Sequence, residues 1–269
     1  MPFVTSGGVR IHYTDTGGDG RVVVLGHSLF MDHEMFAPQV QALTPDYRLI
    51  AIDSRGHGPS EDHGTPFSYW DLARDAWAVV DALGLEHVVV GGVAHGGFTA
   101  LRMALLAHSR VDGLIVIGST AAAMPARRKV GYREVFDAWT GDVPLAPTVK
   151  MVSSLMIGAG AEDQKPWRDK WLASDRVRAR LAGECLVNRD SVLELLGDIE
   201  CPALVIRGMA DQANDAGEMD EMARALGRPT EVHTIAGASL TPNLTHPDEV
   251  NPLLRSFLDG LPERSLLRS

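Results

Sequence analysis

Cysteine is nearly absent from this chain, with two in 269 residues, Cys185 and Cys201. Two thiols cannot form the disulfide framework that staples small secreted domains, so stability must come from an apolar core. Cys201 precedes Pro202 at the mouth of an apolar strand, where a small buried thiol packs, and Cys185 has no histidine at a suggestive spacing. Both are expected to be structural. A positive charge excess is also missing. Lys and Arg number 25 against 35 Asp and Glu, a formal net charge of −10. An acidic surface repels phosphate backbones, which argues against a nucleic-acid partner. No window holds the ~18 consecutive apolar residues that cross a bilayer, and the opening MPFVTSGGVRIHYTDTG has no basic segment followed by an apolar one. No membrane partner is therefore expected, and a cytoplasmic protein is the default. Neither G-x-x-x-x-G-K-[ST] nor G-x-G-x-x-G follows a strand, and no His/Cys/Asp group has metal-ligand spacing, so no cofactor is expected. Internal repeats and low-complexity segments are absent too.

What is present is a soluble globular composition, 45% hydrophobic and 22% charged, enough to bury one α/β core with an insertion. The start reads as a hairpin, Phe3–Thr5 and Arg10–Thr14 around Gly7-Gly8. Continuous apolar runs at Arg21–Ser28, Arg48–Ile52, Val88–Val90, Val111–Ile117 and Cys201–Gly208 predict strands buried on both faces. Helical spacing alternates with them: after His33, over the YWDLARDAWAVVDALGL stretch, over Gly96–Ala107, Gly217–Leu226 and Pro247–Leu258. This alternation predicts a mostly parallel, doubly wound sheet. From about residue 121 to 196 helical stretches continue without convincing strands. The expected division is a core of residues 1–120 and 197–269 with a helical lid over 121–196. The tail after Leu261 is expected to fray.

The stretch VVVGGVAHGGFTALRMALL (Val88–Leu106) has the strand, tight glycine turn and helix of a nucleophile elbow, G-x-S-x-G, but Ala94 occupies the serine position. Four further motifs stand in order along the chain, two before this stretch and two after it. They are LGHSLFMDHEMF, DSRGHGPS (Asp53–Ser60), LVIRGMADQAN and the closing IAGASLTPNLTHPDEVNPLLRSFL. Together they resemble the α/β-hydrolase superfamily, in its small bacterial branch of enol-lactonases, cofactor-free haloperoxidases and esterases. The resemblance covers nearly the whole chain apart from the lid. It implies the α/β-hydrolase fold and a triad in chain order Ser, Asp, His. The acid slot is Asp211, the nucleophile slot Ala94 and, without a gap, the histidine slot Leu240. His246 matches the surface His-Pro that opens the last helix, with Pro247 at the first helical position.

Alanine cannot form an acyl-enzyme and leucine cannot accept a proton. Triad residues act as a unit, and losing serine or histidine costs roughly 10⁶ in turnover in the best-studied case. Ordinary triad hydrolysis is therefore not expected. The oxyanion hole implied by the resemblance, the N–H groups of Leu29 and His95, needs neither side chain, and such donors with binding alone retain about 10³–10⁴ over water. Candidate pocket residues are His27, Ser28, Phe30, Trp139, Met151, Met156 and Trp167, with Met124, Leu155 and Trp171 as further apolar lid material. His95 is the best-placed alternative acid or base, or else supplies only its N–H. His27 is a second candidate or a structural hydrogen-bonder. Asp32 and His33 could reach the pocket mouth, and Asp53 and His57 are expected to brace their turn. Asp211 is either a carboxyl of raised pKa or a holder of local backbone. The leading expectation is a non-hydrolytic, cofactor-free catalyst of elimination, cyclisation, isomerisation or a lyase-type step on a hydrophobic carbonyl-containing molecule. The alternatives are a serine esterase or lactonase carrying an inactivating substitution, and a non-catalytic small-molecule binding protein. A homo-oligomer stays open.

Overall fold

The computed structural model describes residues 2–158 and 160–262; the expected frayed tail lies, from residue 263 on, outside the described residues. Eight strands form one sheet: β1 (Phe3–Ser6), β2 (Val9–Asp15), β3 (Arg21–Gly26), β4 (Tyr47–Ile52), β5 (Val88–Val93), β6 (Val111–Ile117), β7 (Ala203–Gly208) and β8 (Val232–Ile235). Their order is β1-β2-β4-β3-β5-β6-β7-β8. The β1–β2 and β2–β4 pairs are antiparallel and the others parallel.

The continuous apolar runs follow from burial on both faces. Val23, Leu25, Leu49 and Val89 point into one apolar cluster, whereas Val24, Ile50, Val88 and Val90 point into another. The first cluster is closed by α1 (Ala37–Leu43) and α10 (Pro247–Asp259), the second by α2 (Tyr69–Ala82), α3 (His95–Leu106) and α8 (Ala216–Ala225). The helix α2 starts at a capping box, in which the Ser68 hydroxyl accepts from the Asp71 N–H and the Asp71 carboxylate accepts from the Ser68 N–H.

Between β6 and β7 the described residues build four α-helices, α4 (Ala126–Thr140), α5 (Leu145–Met156), α6 (Ala161–Ala173) and α7 (Arg180–Val187), with two short 3-10 turns and no strand. A short helix α9 (Pro242–Thr245) precedes α10. Cys185 is buried, Cys201 half-buried, and both are free. Burial pushes their thiols up, to about 12 and about 11, which makes them poor nucleophiles.

Candidate functional site

The turn from β5 into α3 is tight because glycine lets three backbones meet. A Cβ on Gly96 would stand 1.9 Å from the Gly26 carbonyl oxygen, and one on Gly92 2.3 Å from the Gly96 carbonyl carbon. Ala94, at the apex, has φ 48° and ψ −104°, a conformation that L-residues rarely adopt. It is held there by its own N–H donating to the Ile117 carbonyl at 2.8 Å and by the Ser119 hydroxyl donating to its carbonyl at 2.9 Å.

Above this apex lies a cavity of about 350 Å³. Its floor and wall on the sheet side are Ser28, Leu29, Phe30, Ala94, His95 and Leu240. The helical block contributes α4 residues from Arg127 to Phe136, Val152, Leu155 and Met156 of α5, Leu186 of α7, and Arg189 just beyond it. Among the described residues, the backbone N–H groups of Leu29 and His95 have no hydrogen-bond acceptor, and His95 opens α3, where N–H groups are free by geometry.

Leu240 and Asp211 lie side by side: a Cβ on Gly118 would be 2.9 Å from Leu240 Cδ1 and 3.7 Å from Asp211 Oδ2. Asp211 itself does not line the cavity. Its Oδ1 accepts from the N–H groups of Ala213 (2.8 Å) and Asn214 (3.3 Å), and its Oδ2 from Asn214 Nδ2 (3.1 Å). Burial raises its pKa, and these bonds pull the other way.

The histidines near the site are structural. His27 donates from Nδ1 to the Ser28 carbonyl and accepts at Nε2 from the Ser54 N–H. His57 likewise donates to the Arg55 carbonyl and accepts from the Phe30 N–H. The ring of His95 packs against His27, His57 and Tyr69. Its Nδ1 meets the Tyr69 hydroxyl at 2.8 Å, and its Nε2 is sealed from solvent without a partner. Burial, then the charges of His57 and His27, hold the His95 pKa well below 6.5. Neither ring nitrogen of His95 opens onto the cavity, so the residue presents its backbone there.

Of the pocket residues expected from sequence, Ser28, Phe30 and Met156 line the cavity, as do Met124 and Leu155. Four others do not. His27 is fully buried beneath the loop. Trp139 stacks on the Phe30 ring, centroids 3.9 Å apart, outside the cavity wall. Trp167 packs into the core against Trp171. Met151 is 43% exposed on the outer face of α5. Asp32 and His33 do not reach the cavity either. Asp32 pairs with Lys170 at 2.5 Å, and His33 binds Asp53. Asp53 and His57 do brace the turn, with the Ser60 hydroxyl donating to the Asp53 carbonyl. Tyr132, Phe136, Arg127, Arg128 and Arg189 also line the cavity. Sequence reasoning misses them, because helical spacing cannot say which face meets a void.

Sequence spacing offers no metal cluster, but folding brings His12, His33 and Asp53 together, their ligand atoms within 4.8 Å of one another. Both Nδ1 atoms lie on Asp53 Oδ2, at 2.7 and 2.8 Å. Two imidazole N–H donors on one buried carboxylate account for this geometry.

Residues 21–247 match the alpha/beta hydrolase fold family. The chain is 30% identical over 280 residues to a non-heme haloperoxidase of Rhodococcus erythropolis, covering 97% of this chain and 100% of that one. It is 25% identical over 247 residues to 3-oxoadipate enol-lactonase 1 of Acinetobacter baylyi, 89% of each chain. Among solved structures, a thermophilic esterase from Thermogutta terrifontis superposes with a TM-score of 0.86 at 25% identity, over 96% of this chain and 97% of that one. The enol-lactonase from Burkholderia xenovorans gives 0.84 at 25% identity, over 96% and 100%. No helix among the described residues is long and apolar enough to cross a membrane. With the elbow, the parallel sheet and these relatives in agreement, the chain belongs to the alpha/beta hydrolase fold family, in the branch of enol-lactonases, haloperoxidases and esterases.

Proposed function

We propose that this protein is a non-hydrolytic, cofactor-free catalyst for an apolar, carbonyl-containing small molecule. In this reading Ala94, Leu240 and Asp211 fill the nucleophile, histidine and acid slots, and the N–H groups of Leu29 and His95 form the oxyanion hole. The helices α4–α7 are the lid. The observation that carries the reading is the strained elbow. Holding Ala94 at φ 48° costs on the order of 1–3 kcal/mol, yet there is no hydroxyl for the turn to present. What the turn still aims is a helix N-terminus and its free donors at the head of an apolar cavity. An enolate or another developing oxyanion would be stabilised there without a covalent intermediate.

The cavity wall carries no carboxylate and no open imidazole nitrogen among the described residues. Ring closure and isomerisation, which need shape and charge stabilisation above all, therefore suit it better than elimination, which needs a positioned base. The same lack of a carboxylate or an open imidazole nitrogen is the observation that favours a second reading, a binding protein without turnover.

Reversion separates these readings. Ala94→Ser alone should not hydrolyse p-nitrophenyl butyrate, because Leu240 leaves the serine without a base. Ala94→Ser with Leu240→His should gain hydrolysis. Strong esterase activity from the single variant would mean that the parent is an inactivated hydrolase. Conversion of a cavity-binding lactone or enone faster than in buffer supports catalysis. A ligand that binds and is returned unchanged supports the binding protein.

A further inference from the structure

Among the described residues two arginines are deeply buried, Arg102 and Arg189, and of these only Arg102 has a counter-ion. Arg102 is 1% exposed and its Nη2 donates to Asp190 Oδ1 at 2.7 Å. Arg189 is 5% exposed and makes no ion pair among the described residues. Its chain neighbour Asp190 is turned away, shared between Arg102 and Trp70 Nε1. Arg189 spends its Nε on the Ala122 carbonyl at 3.1 Å and its Nη1 on the Leu186 carbonyl at 3.4 Å. Its guanidinium lies 4.6 Å over the Phe98 ring. Nη2 has no acceptor among the described residues, and it is not one of the sealed, unpartnered atoms of the interior. Arg189 lines both the cavity above Ala94 and a neighbouring groove with Trp70, Cys185 and Asp190, and Nη2 is its unsealed, unpartnered donor.

A guanidinium stays charged in proteins, and a buried charge without a partner is costly. The charge around it is not balanced by the cavity wall. Arg127 and Arg128 are also lining residues. The one acid paired with them among the described residues is Glu218, which sits 3.5 Å from Arg128 Nη1. Tyr132, on the same helix as Arg127 and Arg128, adds a phenol to the lining. An otherwise apolar cavity thus has one wall that is cationic and donor-rich. Arg189 stands over Phe98, one turn of α3 from Ala94, and Ala94, Leu240 and the residues of the two free backbone donors line the same cavity.

We infer that the cavity takes an amphipathic carboxylate, with Arg189 binding the carboxylate group and the apolar walls of Phe136, Val152 and Met156 enclosing the body. The carboxylate supplies the counter-charge that the fold withholds from Arg189 and fixes which end of the molecule faces the elbow. Arg189 is a binding and specificity residue in this account. The inference rests on the cavity being the substrate site, as proposed above, but not on any turnover there.

The test is direct binding of matched pairs: ω-phenylalkanoic acids of two to five methylene groups against the corresponding alcohols, measured by isothermal titration. The wild-type protein should bind its preferred acid roughly 10-fold to 100-fold more tightly than the matched alcohol, the ratio expected for one charge-assisted contact. Arg189→Met should remove that preference while leaving alcohol affinity within about threefold. Arg189→Lys keeps the charge, and should keep part of the preference. Because Arg189 also ties two carbonyls, the lysine variant and alcohol binding by the methionine variant report whether the cavity survives. Equal affinity for acid and alcohol in the wild type, or a preference that persists in Arg189→Met, would overturn the anchor and leave the cavity reading standing. Binding of neither series would overturn both. A preference without any chemical change would leave the anchor intact and count only against catalysis.

Discussion

Ala94 and Phe30 are the two non-glycine residues with positive φ among the described residues, at 48° and 65°, and both border the cavity. Strain at one residue could be incidental. At two residues that line the same void it points to a built geometry. At Ala94 the strain has a measurable signature. Ala94→Gly should change unfolding free energy by less than ~1 kcal/mol, since relief of strain and the freer unfolded chain offset each other. Ala94→Val, β-branched, should lose more than ~2 kcal/mol. Urea unfolding reads both, and a valine variant as stable as the parent would remove the strain argument. The tight turn at Ala94 is legible in the sequence because the glycines around it are spaced for a close strand-to-helix approach. Arg189 is not. An arginine followed by an aspartate suggests a local surface pair, and only the tertiary route of Asp190 to Arg102 leaves Arg189 alone. His95 misleads in the other direction. Its position beside the elbow suggests chemistry, but Tyr69 and the neighbouring histidine rings close its imidazole off.

At the scale of elements, the strand–turn–helix of β5 and α3 depends on missing side chains. Gly96→Ala would press a methyl against backbone of β3, which cannot give way, and should cost more than ~3 kcal/mol or abolish folding. Gly131, in the middle of α4, is the contrast, because a Cβ there meets nothing within 4 Å. Gly131→Ala should stabilise by about 0.5–1 kcal/mol through helix propensity. Thermal or denaturant melts of the two variants should move in opposite directions. If both destabilise equally, close approach is not what selects glycine at position 96. Most sheet elements are readable in the amino-acid pattern because a strand buried on both faces is written as an unbroken apolar run, as in Val111–Ile117. The helices α4–α7 are readable as helices but not as a cavity wall. Val152 lines the void while its neighbour Met151 is 43% exposed, and periodicity groups residues on a face without saying what that face meets.

For the whole molecule, the buried histidines set the acid limit. Burial, then the charge of His27, pulls His57 down to about 3, and burial also lowers His27 and holds His95 well below 6.5. A histidine whose folded pKa is depressed binds its proton only in the unfolded chain. Its contribution is therefore complete above about 6.5 and is lost as pH falls toward the folded value. His33, raised by its bond to Asp53, has its own contribution fully in place below about 6.5 and does not mask the slope. Stability should therefore fall from pH ~6.5 to ~5, by about 2 kcal/mol through His57 alone. His57→Gln should flatten the profile by about that share. Urea midpoints that do not change over this range would show that these imidazoles are not held neutral.

Phe30 is gripped from the inserted helices on two sides. Trp171 of α6 donates its indole N–H to the Phe30 carbonyl at 2.6 Å, and Trp139 of α4 stacks on its ring. The residue before it, Leu29, carries one of the two free N–H donors. Any swing of α4 and α6 away from the sheet must therefore tug the backbone that aims this donor, so parting these helices and slackening the loop that carries Leu29 become a single mechanical event. Trp171→Phe should loosen that linkage, raising amide exchange at Leu29 and Phe30 while α3 stays protected. Unchanged exchange at Leu29 would mean that the loop keeps its own shape, and that the inserted helices can open without disarming it.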